Sequence, residues 1–168
     1  MAEAAERREW WKYAIVTVPA IVVAGWASGW LSNSGYGNPW FDGLVKPFFM
    51  PPGWVFGVVW PILYMLLGFA LALILAEPPS TKRRNALILF FLQLVLNFAW
   101  SPVFFAAHRI QLALGIIVAM AGFAALTAGQ FRQLRPIAGA FMLPYLLWLC
   151  FAFALNSAIG NLNPDAGV

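Results

Sequence analysis

The chain has 168 residues, of which 62% are hydrophobic, 17% aromatic and 10% charged, and its formal net charge is +4. Soluble domains contain about 45–50% apolar and about 25% charged residues. A domain of this size cannot hide so much apolar surface behind a polar exterior, so the composition argues against a soluble enzyme, a nucleic-acid-binding protein and a disordered chain.

Five stretches of 22 to 30 residues contain no Asp, Glu, Lys, Arg or His: 13–41, 47–76, 85–107, 110–131 and 136–164. A helix that crosses a bilayer needs about 20 apolar residues, so each stretch can supply one. Several runs are apolar at every position, which excludes the alternating pattern of β-barrel strands. We therefore predict an all-α integral membrane protein with a single transmembrane domain, 1–168. Its five helices are expected at about 12–31, 52–76, 83–106, 110–131 and 136–158.

Positive residues are unequally divided between the two ends of these predicted helices. If the helices alternate in direction, eight Lys and Arg residues lie on one side and two on the other. The positive-inside rule then places the N-terminus in the cytoplasm if the protein inserts in a bacterial inner membrane. The inner and outer membranes of a bacterial envelope both stay open. The eight are Arg7, Arg8, Lys12, Lys82, Arg83, Arg84, Arg132 and Arg135, and the two are Lys46 and Arg109.

The longest predicted connection, residues 32–51, joins the first two helices. It begins with turn-forming residues and continues with the aromatic pair Trp40 and Phe41. Long aromatic connections of this kind can fold over the end of a bundle. We expect this loop to form a lid.

Four predicted helices contain an interior proline: Pro19, Pro61, Pro102 and Pro144. Each proline removes a backbone hydrogen bond and tends to kink its helix. In lipid, the freed carbonyls need partners within the bundle. Four such kinks predict helices that splay apart at some level and leave room between them.

Aromatic and amide side chains recur along three predicted helices at helical spacing. Interhelical packing by aromatic rings and amides is one interpretation of these stripes. The other is an apolar pocket with a few fixed polar groups, suited to a flat aromatic ligand. Spacing alone leaves both open. The stripes are Phe56, Trp60 and Tyr64; Gln93, Asn97, Trp100 and Ser101; and Tyr145, Trp148, Ala152 and Asn156.

Catalytic and metal-binding patterns are lacking in the sequence. No acidic residue falls inside a predicted helix, and we expect neither a metal site nor a required cofactor. The single His108 is interpreted as an interfacial residue, with haem ligation as a weaker alternative. Gly25 and Gly29 form a GxxxG motif, which permits close helix contact within the monomer or in a dimer.

Three motifs in chain order resemble the TspO/MBR family, also called the translocator protein or tryptophan-rich sensory protein family. The first combines WFDGLVKP at 40–47 with PPGWVFGVVWPILY at 51–64. The second is QLVLNFAWSPVFF at 93–105, and the third is PYLLWLCFAFALN at 144–156.

This resemblance implies a five-helix bundle, often a homodimer, with a ligand cavity beneath the first loop. Family members bind porphyrins such as protoporphyrin IX and haem, isoquinoline and benzodiazepine-type ligands, and sterols. The family's sterol motif needs a Tyr and then a Lys or Arg after Leu155 and Asn156; both are missing, so sterol binding through it is not expected. The positions that match the family's pocket are Trp40, Phe41, Trp60, Tyr64, Asn97, Trp100, Trp148 and Ala152.

The favoured function is a membrane receptor or carrier for porphyrins, with the tetrapyrrole as ligand and the lipid bilayer as surroundings. Charge alone would bring the porphyrin carboxylates to Lys46. The resemblance also implies an enzymatic alternative, light-dependent oxidative degradation of bound porphyrin through Trp60 and Trp148. A structural or regulatory membrane partner without a ligand is the third possibility.

Overall fold

The computed structural model describes residues 9–167, so Arg7 and Arg8 lie outside the described part. All regular structure in this part is helical. The helix α4 continues directly into a π-helical turn, Pro102–Ala106. The helices are α1 (Trp10–Leu31), α2 (Pro39–Gly43), α3 (Gly53–Leu75), α4 (Thr81–Ser101), α5 (Ile110–Leu134), α6 (Pro136–Phe141) and α7 (Leu143–Leu162).

Five helical segments of the described chain are long and apolar enough to cross a bilayer. They are α1, α3, α4 with its π-helical turn, α5, and the pair α6 and α7. The predicted fold class, an all-α membrane bundle of five spans, is confirmed.

The third and fifth spans differ from the prediction, one in its first residue and the other in a break after its first turns. The third span begins at Thr81 rather than at 83, because the Ser80 side chain accepts a hydrogen bond from the Arg83 N–H at 3.1 Å and caps the helix. The fifth span is broken at Met142 and extends to Leu162. Pro144 then lies in the first turn of α7, where its missing N–H costs nothing.

The spans form a closed ring. Helix α1 packs on α3, α3 on α6, and α5 on α4, α6 and α7; α4 also contacts α1. At the end of the ring next to the loop 32–51, α3 and α7 meet through the rings of Phe56, Trp60 and Trp148. Large side chains therefore separate these two helices at that end and leave space among them.

The carbonyl freed by Pro102 finds its partner on another helix. Proline has no N–H to donate to the Phe98 carbonyl one turn earlier. The Ser28 hydroxyl of α1 donates to that carbonyl instead, at 2.7 Å. The pairing satisfies a polar group inside the bundle and fixes α1 against α4.

The α2 region closes one end of the ring, which we call the lid end. Asn38 caps α2, accepting from the backbone N–H groups of Trp40 and Phe41, and its amide donates to the carbonyl of Phe105 at 3.3 Å. Near the C-terminus, Asn163 makes two hydrogen bonds of 2.8 Å with the backbone of Val45. The loop is thus tied both to the π-helical turn and to the end of α7.

Candidate ligand cavity between the helices

A cavity of about 740 Å³ lies inside the lid end of the ring. Its inner boundary includes Ile117, Met120 and Leu149, and its outer boundary includes Phe41 and residues of the π-helical turn. The volume falls within the range of about 300–1,000 Å³ that is common for small-molecule sites. Among the described residues that line it, none is charged.

Aromatic rings from the lid and from four of the helices contribute to the cavity wall. The rings of Trp60 and Tyr64 stack with their centroids 5.3 Å apart and an interplanar angle of 29°. Trp148 approaches Trp60 edge-on at 6.3 Å. Across the cavity, Trp100 stacks on Phe104 at 5.1 Å. Such flat apolar surfaces suit a planar aromatic ligand.

A buried chain of hydrogen bonds joins three helices beside the cavity. The Tyr64 hydroxyl donates to the Asn97 side-chain oxygen at 2.9 Å, and the Asn97 amide donates to the Tyr145 hydroxyl at 2.9 Å. Tyr145 is fully buried, whereas Tyr64 and Asn97 also line the cavity. An amide has two N–H groups, and this chain of hydrogen bonds uses one of those of Asn97.

A second amide orients the indole of Trp100. The Trp100 N–H donates to the side-chain oxygen of Asn156 at 3.3 Å, and the Asn156 amide donates to the Ile110 carbonyl at 3.0 Å. The indole N–H is thereby satisfied within the protein. Trp100 stacks on Phe104 on one side, and its indole also lines the cavity.

The GxxxG motif of α1 serves packing within the described chain. A Cβ atom at Gly25 would lie 2.1 Å from the ring of Tyr64, so only glycine lets this ring rest on α1. A Cβ at Gly29 would meet the Ser34 hydroxyl at 3.8 Å, an ordinary contact. Gly25 thus positions one of the cavity's aromatic side chains.

A sequence profile of the TspO/MBR family matches residues 16–162, nearly the whole chain. The chain belongs to this family. Together with the five apolar spans, this membership makes it an integral membrane protein.

Similar proteins occur in all three domains of life. The chain is 38% identical to the human translocator protein over 131 residues, which cover 77% of this chain and 78% of that protein. It is 39% identical over 126 residues to the tryptophan-rich sensory protein of Cereibacter sphaeroides, covering 75% and 78%. It is 35% identical over 149 residues to the tryptophan-rich protein TspO of Archaeoglobus fulgidus, covering 89% and 95%.

The structure brings together seven of the eight positions that the family resemblance places in the pocket. They come from α2, α3, α4 and α7, and all seven line one cavity. Phe41 is only 3% exposed and belongs to the lid. The seven are Phe41, Trp60, Tyr64, Asn97, Trp100, Trp148 and Ala152.

Trp40 is the exception, because its ring lies outside the cavity lining. It stacks on the imidazole of His108 with the centroids 4.3 Å apart. Neighbouring residues of a helix point about 100° apart, and in α2 it is Phe41 that faces inward. His108 is exposed, has a positive φ of 56°, and also lies outside the lining.

Lys46 holds the lid rather than facing the cavity. Its ammonium group donates to the carbonyls of Phe41, Asp42 and Leu44 at 2.7, 3.3 and 3.2 Å. It also lies 4.7 Å from the centre of the Phe41 ring. These carbonyls end the short helix α2, so the cation stabilises a helix C-terminus. The expectation that Lys46 meets ligand carboxylates was based on charge alone, and this position does not support it.

Two tryptophans of α1 that line the cavity were not predicted from the sequence. Trp26 and Trp30 of α1 stack with their centroids 6.0 Å apart, and both line the cavity. They are 67% and 68% exposed, so they stand at an open side of the cavity rather than within its wall. Their spacing of four residues, the same as that of Trp60 and Tyr64, indicates that they share one face of α1 and is the pattern from which they could have been predicted.

Proposed function

We propose that the protein is a membrane receptor or carrier that binds a porphyrin, such as protoporphyrin IX or haem, or another flat apolar ligand. The observation that supports this most directly is the 740 Å³ cavity, with the indoles of Trp60, Trp100 and Trp148 in its wall. In a purely structural membrane protein, other side chains would fill the space beside these three indoles. Here the three indoles line an open cavity.

The neutral lining constrains how a porphyrin would sit. A carboxylate buried without a partner costs several kcal/mol, and no charged side chain lines the cavity in the described part of the chain. The macrocycle therefore occupies the aromatic interior, where Asn97 offers one N–H. The carboxylates lie at the opening, where the polar loop residues Asn33 and Ser34 line the cavity.

Binding is tested by titrating the purified protein with protoporphyrin IX in the dark and following the quenching of tryptophan fluorescence. Saturable quenching is expected, and Trp60→Ala should weaken binding about fivefold or more, because a lost stacking surface is worth about 1–3 kcal/mol. Trp54→Ala is the matched control, because Trp54 lies on the same helix, is 70% exposed and does not line the cavity. Quenching that does not saturate, or equal losses in both variants, would contradict the proposal.

Light-dependent oxidation of the bound porphyrin is the second candidate function. The observation that favours it is the pair Trp60 and Trp148, whose rings lie 6.3 Å apart and both line the cavity. A porphyrin in the cavity would lie beside both indoles, so that oxidisable groups flank a photosensitiser.

Illumination in the presence of oxygen distinguishes this candidate from simple binding. The porphyrin absorption band should bleach with the wild-type protein and several-fold more slowly with Trp148→Phe, which keeps an aromatic ring but removes the indole. Trp54→Phe is the control and should bleach at the wild-type rate. Equal bleaching in all samples, including detergent alone, would contradict the proposed enzymatic function without contradicting the proposed porphyrin binding.

A further inference from the structure

Gln93 is a polar residue buried inside the bundle, on the stripe of α4 that also carries Asn97. Its side chain is 0% exposed, and neither its amide nitrogen nor its amide oxygen has a hydrogen-bond partner among the described residues. Gln93 does not line the ligand cavity, so a ligand bound there would not supply the missing partners. A buried amide without partners is costly, and lipid offers none. Gln93 therefore needs hydrogen-bonding groups from another source.

The packing of α4 on α5 places Gln93 at the same depth in the bundle as Thr127. The rings of Phe90 and Phe131 stack with their centroids 5.6 Å apart and an interplanar angle of 17°, which fixes the register of these two helices. Gln93 follows Phe90 by three residues, and Thr127 precedes Phe131 by four. Residues three or four apart share a helix face, so both lie about one turn from that stack, towards the lid end. Thr127 is also 0% exposed.

The buried face of α5 at this depth offers both a polar group and room. The Thr127 hydroxyl donates to the Phe123 carbonyl of its own helix at 2.7 Å, and its oxygen can still accept a hydrogen bond. The buried residues on either side of it are Ala124 and Ala128. Their short side chains leave space beside the long amide of Gln93. A polar space with several hydrogen-bonding groups is what an internal water molecule requires.

We propose that Gln93 and Thr127 hold internal water between α4 and α5. One water molecule accepts from the N–H of the Gln93 amide and donates to the Thr127 oxygen. A second donates to the Gln93 amide oxygen. Both atoms of the amide are then satisfied, as buried polar groups in proteins normally are. The site lies one helical turn inward from Asn97, so the water joins α4 to α5 next to the inner boundary of the ligand cavity.

A direct hydrogen bond between the two side chains accounts for less than water does. Threonine has a single hydroxyl hydrogen, and Thr127 donates it to the Phe123 carbonyl. The Thr127 oxygen could accept from the Gln93 amide nitrogen, but the Gln93 amide oxygen would stay without a donor. Water provides a donor and an acceptor at once, so it can satisfy both ends of the amide.

A crystal structure of the full-length protein, at a resolution that shows ordered water, tests the site directly. We expect density for a water molecule within hydrogen-bonding distance of both the Gln93 amide nitrogen and the Thr127 oxygen. A Gln93 amide that is dry, or that is bonded to protein groups alone, would overturn the proposal.

Thermal unfolding in detergent tests the same site through two substitutions that keep side-chain shape. Gln93→Met removes the amide and Thr127→Val removes the hydroxyl. Each should lower the melting temperature by about 2–4 °C, the shift that the loss of one hydrogen bond produces in a chain of this length. Either substitution releases the shared water, so the double variant should lose clearly less than the sum of the two.

The direction of the Gln93→Met effect separates a hydrated amide from a dry one. Removing an amide that has no partner would raise the melting temperature. That result, or losses from Gln93→Met and Thr127→Val that simply add, would overturn the proposal.

Asn156→Leu is the matched control, because it removes a buried amide that has its own partners. Asn156 is 2% exposed and accepts from Trp100, which follows Gln93 by seven residues, about 10 Å along α4. At this distance the losses from Asn156→Leu and Gln93→Met should add. Coupling as large as that between Gln93→Met and Thr127→Val would show that the coupling is not specific to a shared water and would overturn the site.

Discussion

Gly25→Ala is expected to lower the free energy of unfolding by about 1–3 kcal/mol, the usual cost of inserting a methyl group into a filled space. The added Cβ would lie 2.1 Å from the ring of Tyr64. This ring cannot easily move, because it stacks on Trp60 and its hydroxyl is bonded to Asn97. If the ring is displaced it enters the cavity, so ligand affinity should fall together with stability. Thermal unfolding in detergent and the fluorescence titration measure the two effects.

Gly29→Ala is the matched control within the same motif. Its Cβ would make only an ordinary contact, and alanine favours a helix over glycine by about 1 kcal/mol. Stability should therefore be unchanged or slightly raised. Equal destabilisation by both substitutions would show that stability depends on the whole GxxxG motif rather than on the contact between Gly25 and Tyr64. A change of oligomeric mass with Gly29→Ala would place the motif in a dimer contact.

The number and position of the spans were predictable because a bilayer restricts the sequence so strongly. Charged residues are expensive inside it, so runs such as 110–131 are free of them. The ends were less predictable. The fourth helix is predicted to end at residue 131, but Arg132 belongs to the last turn of α5, where a cation is favourable.

The consequences of the helix prolines depended on partners far away in sequence. Pro102 produces a π-helical turn, and the carbonyl that it frees is satisfied by Ser28, 70 residues earlier in the chain. Pro144 breaks nothing within α7, because the helix starts again just before it. Local sequence identifies where a hydrogen bond is missing but not which helix supplies its replacement.

The cavity residues on long helices followed from periodicity, whereas those in the lid did not. A stripe such as Trp60 and Tyr64 must share a face because the helix fixes it. Helix α2 has a single turn, and sequence alone could not decide whether Trp40 or Phe41 faces inward. The position of Lys46 was unpredictable for a related reason: its charge was visible in the sequence, but the three carbonyls that it binds are brought together only by the fold.

Asn97→Leu is expected to destabilise the bundle by about 2–6 kcal/mol, because it leaves two tyrosine hydroxyls without partners and each such loss costs about 1–3 kcal/mol. Tyr145 is fully buried and does not line the cavity, so water cannot readily replace the amide there. Tyr64→Phe should cost less, about 1 kcal/mol, since it removes one interhelical bond and leaves the amide of Asn97 at the cavity surface.

The triple variant Tyr64→Phe, Asn97→Leu and Tyr145→Phe separates the hydrogen bonds from the packing. Removing all polar partners together can be nearly neutral, so the triple variant should recover much of the stability that Asn97→Leu loses. Chemical unfolding of the four proteins in the same detergent provides the comparison. If the triple variant is the least stable, the shapes of these side chains hold α3, α4 and α7 together. If the triple variant recovers stability, the loss in Asn97→Leu comes from tyrosine hydroxyls left without partners. That cost then explains why this chain keeps an amide between the two tyrosines.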